Sequence, residues 1–389
     1  MKRIVLCLAL VLLILSGCVP KKMETSQDEY RVGMWFSYNE VDRILNSSDY
    51  EGAFGTALEN CARLGVSDIF LHVRPYCDAI YPSKLFPLRK SAEGKGDILA
   101  SFIDLTHKMG MRFHAWINPY RVRTADEDIS KLDPDSPAVK WLTDADESND
   151  KNVMLCGGVY LDPSSEQVRR LVLDGIRELL DGYDIDGIHC DDYFYPSGAG
   201  PDSEAYESYC NGVNKPLSLE EWRRAHVNAL ISGVYTTVKH YGKEKLFSVS
   251  PAASLENNRE RLYADVEGWM KKGILDIVIP QLYFGFDYPL PEFRFEQLLK
   301  RWSDVPRECG VELWIGLGAY KLNETAAADF KEWSENAELL LQQSELCRMQ
   351  TGVSGQVYYS YTAVFSDEKI NKQALEALLG KENYNVKKN

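Results

Sequence analysis

The sequence predicts an α/β fold, a (β/α)8 TIM barrel with long loops after strands 3 and 4. Three observations carry this expectation. From Arg31 onward, eight short β-rich runs alternate with long amphipathic segments. Glycines stand where helices must stop, at Gly65, Gly110, Gly273 and Gly310. The glycine-rich phosphate loop that marks many open, doubly wound sheets is missing after the first run.

Each unit follows in order. Val32-Phe36 is a short apolar run, and the amphipathic stretch Tyr50-Leu64 follows it. Asp68-Arg74 alternates Ile69, Leu71 and Val73 with aromatic or polar residues, and Asp97-Met109 comes next. Arg112-Asn118 alternates in the same way and precedes Glu166-Leu180. Asp186-Asp191 leads to Leu219-Tyr241, and Leu246-Pro251 leads to Ala264-Lys272. Asp276-Tyr283 with Phe295-Cys309, Glu312-Leu317 with Ser334-Gln350, and Gly355-Tyr361 with Lys369-Leu379 complete the eight units. A typical barrel takes about 250 residues, whereas this one runs from Arg31 to Gly380. The surplus falls in Pro119 to Gly158 and Tyr193 to Pro216, both past the carboxyl end of a strand, where barrel enzymes place their chemistry.

Composition narrows the function classes. With 45% hydrophobic and 26% charged residues over 389 positions, the chain is a folded globular protein. Its net charge of -14 argues against nucleic acid, which is bound mainly through Lys and Arg on phosphates. Met1-Lys2-Arg3 and the apolar run Ile4 to Leu15 read as a secretory signal, too short for an ordinary spanning helix. Leu15-Ser16-Gly17-Cys18 resembles the lipobox of bacterial lipoproteins, which implies cleavage before Cys18, acylation of that cysteine and a lipid anchor in the cell envelope. Residues 1–17 are then a signal, 18–30 a tether and 381–389 a polar tail, and loss of the two basic residues in the signal brings the charge to -16. Seven further cysteines, an odd number, do not make a disulfide framework; Cys61, Cys190 and Cys347 sit in apolar patterns as small buried residues.

Strand alternation sorts the barrel's faces. Phe70, His72 and Arg74 point inward on the second strand, His114, Trp116 and Asn118 on the third, and His189 and Asp191 on the fourth. Inert barrel interiors hold Val, Ile and Leu, so this interior is built to meet something polar. Asp191, at a strand end, reached through Gly187 and flanked by aromatics, suits a glycosidase: an oxocarbenium-like transition state needs a nearby anion, and sugar rings stack on apolar faces. Asp192 is an orienting or substrate-binding neighbour, or a turn cap.

The stretch GIHCDDYFYP resembles the fourth-strand signature of the glycosyl hydrolase-like 10 family, bacterial envelope proteins with a barrel domain. So do Val73-Arg74-Pro75 with Asp78-Ala79-Ile80-Tyr81-Pro82-Ser83, and His114-Ala115-Trp116-Ile117-Asn118-Pro119-Tyr120-Arg121. Leu161-Asp162-Pro163, Glu221-Trp222-Arg223-Arg224, Tyr263-Ala264-Asp265 and Pro280-Gln281-Leu282-Tyr283 continue the resemblance in order. Tyr76-Cys77 stands where Gln-Gly is expected and Cys190 where Phe is expected. The resemblance implies hydrolysis of glycosidic bonds, with peptidoglycan glycan or a related polysaccharide as substrate.

Two carboxyl groups are needed for that reaction. Asp191 is the first, and Asp78 is the candidate for the second, with Asp265, Asp287 and Glu256 behind it. Arg74, His114, Asn118, His189, Gln281 and Tyr283 would bind hydroxyl or acetamido groups, and Trp35, Trp116, Tyr120 and Tyr193 would offer stacking surfaces. The position two after Asp191, where family 18 chitinases place their acid, is Tyr193. No cofactor is expected. A metal hydrolase using His72, His114, His189 and Asp191 and a noncatalytic glycan-binding lipoprotein are the alternatives.

Overall fold

The computed structural model describes residues 30–196 and 202–380, so the signal, Cys18 and the polar tail lie outside the described residues. Eight parallel strands close a barrel in chain order: β1 (Arg31–Phe36), β2 (Asp68–Arg74), β3 (Arg112–Ile117), β4 (Gly187–Cys190), β5 (Leu246–Val249), β6 (Ile277–Val278), β7 (Glu312–Leu317) and β8 (Gly355–Tyr358), which returns to β1. Parallel neighbours need crossovers, and helices supply them, among them Tyr50–Arg63, Ile98–Lys108, Glu166–Gly182 and Leu219–Tyr241. Gly65, Gly110 and Gly273 end their helices at φ of 71°, 71° and 61°, a left-handed backbone that a side chain would strain.

Alternation produces two apolar cores. The larger lies between strands and helices and takes Ile69, Leu71 and Val73 of β2 together with Phe113, Ala115 and Ile117 of β3. The smaller fills the barrel with Trp35, Phe70, Trp116, Ile277, Ile279, Trp314 and Val357. Cys61, Cys190 and Cys347 are buried in the larger core as small apolar residues.

Three elements differ from the sequence expectation. Only Ile277–Val278 of the sixth run pairs as a strand, because Pro280 has no N–H to give; Gln281 then bridges Ala252 and Gly316. The helix expected over Phe295-Cys309 stops at Ser303, ahead of Pro306. The expected Ser334-Gln350 helix is two, Phe330–Glu335 and Leu339–Met349, separated where Asn336 turns extended.

The chain between β3 and the helix Glu166–Gly182 folds into a small antiparallel sheet, with Gly158–Leu161 between Arg121–Thr124 and Val153–Leu155. Past β4, a buried ion pair ties the loop down. Arg223 Nε and Nη2 donate to Asp202 at 2.7 and 2.6 Å, Tyr195 donates to the same carboxylate at 2.7 Å, and Arg223 Nη1 donates to the Tyr263 hydroxyl at 2.8 Å. Residues from three of the sequence motifs thus meet in one cluster.

Candidate active site

The site is built on the end of β4. Gly187 lets this strand lie close to its neighbours, since a Cβ there would stand 2.6 Å from Leu246 O and 2.7 Å from His114 Nδ1. Alternation then turns His189 inward, where it is fully buried. Trp35 Nε1 donates to His189 Nε2 at 3.0 Å, so the neutral ring carries its proton on Nδ1 and gives it to Ser248 Oγ at 2.8 Å. Burial holds this imidazole well below its ordinary pKa. His189 is therefore a neutral support beneath the next inward residue, Asp191.

Asp191 is 4% exposed, and its Oδ1 accepts the Tyr193 backbone N–H at 3.2 Å. Burial, and then the charge of Asp192, push its carboxyl up to about 8 against the lowering influence of Arg121. The strand has ended at Cys190, which frees half-buried Asp192 to turn toward Gln281. Burial raises Asp192 to about 6, while Arg121 and Gln281 oppose the rise. Gln281 is fixed by donating from Nε2 to Ser250 O at 2.9 Å. Both carboxyls are thus pushed toward their protonated forms, and they titrate as a pair.

Aromatic rings and one cation surround the pair. The Arg121 guanidinium lies 3.5 Å over the Tyr193 ring and 5.8 Å from that of Tyr76. Tyr283 stacks on Tyr359 at 5.8 Å, and Tyr320 meets both edge-on at 5.5 and 5.6 Å. A cleft of about 610 Å³ opens beside Asp192, lined by Asn257, Gln281, Tyr283, Tyr320 and Lys321 among others. A second, of about 600 Å³, runs past Tyr76, Asp78, Arg89 and Arg123.

Of the residues expected from sequence, Asn118, Asp191, Asp192, Tyr193, Gln281 and Tyr283 stand at the carboxyl end of the barrel. Asn118 is buried there, its Nδ2 bonded to Pro75 O at 3.0 Å and 3.4 Å from His72 Nε2. Six others are elsewhere or covered. Arg74 turns out of the barrel, because a bulge between His72 and Arg74 shifts the register and sets Arg74 beside outward-facing Ile117. Its guanidinium lies 4.3 Å over Phe86, in space left by Gly175 of the helix Glu166–Gly182. Tyr120 belongs to the outer core, since its strand has ended and the chain is leaving the barrel. His114 lies near the amino end, stacked on Phe70 at 4.4 Å and bonded to Asp68 at 2.9 Å. Trp35 and His189 are interior packing, at 1% and 0% exposure. Trp116 forms the aromatic floor, stacked on His72 at 3.3 Å.

Asp78 is paired with Arg89 at 2.7 Å, and the same guanidinium binds Asp42 at 2.7 Å. Burial raises the Asp78 carboxyl, Arg89 opposes the rise, and the residue lines the second cleft rather than facing Asp192. Glu256 pairs with Arg301, Asp265 pairs with Arg259 at 2.8 Å, and Asp287 is exposed. The histidines of the metal alternative are held apart: His72 Nδ1 accepts the Tyr38 N–H at 3.2 Å, while His114 and His189 have the contacts given above. Among the described residues, no three His, Cys, Asp or Glu side chains come together in a metal-binding arrangement.

Sequence reasoning missed Arg121, Tyr320 and Tyr359. Arg121 closes the Asn118-Pro119-Tyr120-Arg121 motif, but it lies past β3, where alternation no longer assigns a side. Tyr359 has inward parity with Val357, a signal that was present in the eighth run.

Comparisons with known proteins bear on the family and the fold. The model of the glycosyl hydrolase-like 10 family matches residues 33–335. Glycosyl hydrolase YngK of Bacillus subtilis (strain 168) is 31% identical over 331 residues, 78% of this chain and 61% of that protein, so the chain spans about three fifths of YngK. Glycosyl hydrolase DigH of Escherichia coli (strain K12) is 30% identical over 348 residues, 81% of this chain and 75% of that protein. Among solved structures, the catalytic domain of a β-amylase from Paenibacillus polymyxa matches with TM-score 0.52 at 11% identity, covering 87% of this chain and 94% of that one. An α-amylase from Geobacillus thermoleovorans complexed with acarbose matches with TM-score 0.51 at 12% identity, covering 92% and 79%. At these identities the structural likeness is one of fold. The family match spans most of the barrel, including the strand that carries Asp191 and Asp192, and the chain belongs to the glycosyl hydrolase-like 10 family.

Proposed function

We propose that the protein hydrolyses glycosidic bonds in peptidoglycan glycan or a related polysaccharide, with Asp191 as its essential carboxyl group. The observation that carries this reading is the adjacency of buried Asp191 and half-buried Asp192, both pushed toward their protonated forms, with Asp192 lining a cleft that also holds Tyr283 and Tyr320. A protonated carboxyl is what a leaving glycosidic oxygen requires, and the tyrosine faces suit sugar rings. Asp191 is the deeper and more strongly raised of the two and takes the role of general acid. Arg121 favours its ionised form and helps it to give up the proton. The names of the YngK and DigH relatives support the reaction class.

The protein works at the bacterial envelope in this reading. Residues 1–17 are removed, Cys18 carries lipid, residues 18–30 tether the barrel domain 31–380 to the membrane, and 381–389 form a tail. Release of reducing ends from glycan strands, with and without stem peptides, by the wild type and Asp191→Asn tests the chemistry. Equal release by both would remove Asp191 from the mechanism. Cys18→Ser tests the anchor, which predicts that this variant leaves the membrane fraction.

A further inference from the structure

Asp191 and Asp192 stand between two clefts. The Asp192 cleft, of about 610 Å³, is built by loops after β5, β6 and β7, with Asn257, Gln281 and Tyr320 on its walls. The Tyr76 cleft, of about 600 Å³, is built by loops after β2 and β3, with Tyr76, Arg89 and Arg123 on its walls. Between these two groups in the barrel order comes β4, the strand that leads into Asp191 and Asp192. Each cleft has the volume of a site for a whole small ligand, about 300–1,000 Å³. A single terminal sugar would leave one of them empty.

Direct contacts join the carboxyls to both clefts. Asp192 itself lines the first. Toward the other, Asp191 Oδ1 accepts the Tyr193 N–H at 3.2 Å, the 51% exposed Tyr193 ring lies 3.5 Å from the Arg121 guanidinium, and Arg121 lies 5.8 Å from the ring of Tyr76. Tyrosines also cross the barrel mouth on the far side from β4. Tyr283 and Tyr320 line the Asp192 cleft, Tyr283 stacks on Tyr359 at 5.8 Å, and Tyr38 meets Tyr76 edge-on at 5.3 Å. Buried Trp35, Trp116 and His72 link these two sets from beneath, from Tyr359–Trp35 at 6.1 Å to His72–Tyr38 at 5.8 Å. All of these tyrosines except exposed Tyr193 are half-buried, and they form an amphipathic surface of the kind a sugar ring covers.

Resting on the hydrolase reading, we propose that the glycan lies across the barrel mouth with sugar units in both clefts, so that the bond cut lies inside the chain, and that the Tyr76 cleft binds sugars remote from that bond. The protein is then an endo-acting glycosidase. It does not recognise a chain end: units on either side of Asp191 and Asp192 supply the binding energy. The Tyr76 cleft holds substrate without touching the reacting bond, so blocking it weakens binding and leaves the chemical step in place.

The test uses the full protein and long peptidoglycan glycan strands freed of stem peptides, with product lengths read at early conversion. The first products are chains of many intermediate lengths, and the average length falls before monosaccharides or disaccharides accumulate. Release of monosaccharides or disaccharides from the first turnovers, with the remaining chains near full length, would overturn the proposal and leave the hydrolase standing. Thr124 is exposed on the wall of the Tyr76 cleft, and Thr124→Trp narrows that cleft. This variant, checked for folding by thermal melting, raises KM on long strands by about tenfold with kcat within about twofold of the wild type. An unchanged KM in the folded variant would remove the Tyr76 cleft from substrate binding. If no strand is cleaved, the hydrolase reading falls, and binding decides the groove separately: long strands bind the wild type at least about tenfold more tightly than a disaccharide does, and Thr124→Trp removes most of that gain. Equal affinity for long strands and disaccharide would overturn the groove as well.

Discussion

The two ends of the barrel use aspartate in opposite ways. At the amino end, Asp68 accepts from Arg112 Nε at 2.6 Å and from His114 Nε2 at 2.9 Å. Burial alone would raise its carboxyl, but these bonds and charges hold it at about 2. Asp186 and Asp276 stand at the same end, bonded to His107 at 2.8 Å and Lys239 at 2.7 Å. At the carboxyl end, buried Asp191 and half-buried Asp192 lack such ion pairs, and both rise. Burial is common to both ends, so pairing decides whether a carboxyl is held as an anion or pushed toward its protonated form.

The largest effect expected from breaking this contrast is on turnover. Asp191→Asn should lower the release of reducing ends by about a thousandfold or more, the upper part of the range for a lost general acid. At the other end, Asp68→Ala should lower stability by about 3–5 kcal/mol in denaturant titration, because it strands fully buried His114 and takes the partner from half-buried Arg112. Losing no stability there would mean that the amino-end pairing is incidental.

The pH dependence of stability has opposite signs at the two ends. Asp68, with its folded pKa below the unfolded value, stabilises the protein above about pH 4 and loses that contribution as pH falls toward 2. Asp191, with its folded pKa raised, weighs increasingly against folding as pH climbs from about 4 to about 8. Asp191→Asn should therefore melt higher than the wild type at pH 8, with the gap closing at pH 4; an equal gap at both values would contradict the raised carboxyl. Activity should require one proton on the pair, which gives a bell-shaped rate with limbs near 6 and 8. The smallest effect belongs to Arg121→Gln. Removing this cation should move both limbs upward by less than about one pH unit, since it acts on the pair through space.

Much of this was legible in the chain. The eight runs and most of their helices, the inward parity of Phe70, His72, Trp116, His189 and Asp191, and the helix-stopping Gly65, Gly110 and Gly273 follow from local periodicity and backbone sterics, whereas Gly310 stops no helix because the one before it has already ended at Ser303. The motifs around Asp191 were enough to identify the family. Arg74 shows where alternation fails, because one bulged residue in β2 reverses the side of everything after it. Arg121 and Tyr120 show a second limit, since period-two reasoning has no hold once a strand has ended.

By itself, then, the sequence determined the barrel, its family and the strand that carries the central carboxyl, because these depend on patterns a few residues long. Only the tertiary structure decided which inward groups reach the cleft, which histidines serve as buried supports, and which aspartates are paired. Those outcomes depend on residues far apart in the chain: Trp35 is brought to His189, Arg89 to Asp78, and Gln281 to Asp192. Desolvation and charge pairing depend on position in space, and that was set only when β8 closed onto β1.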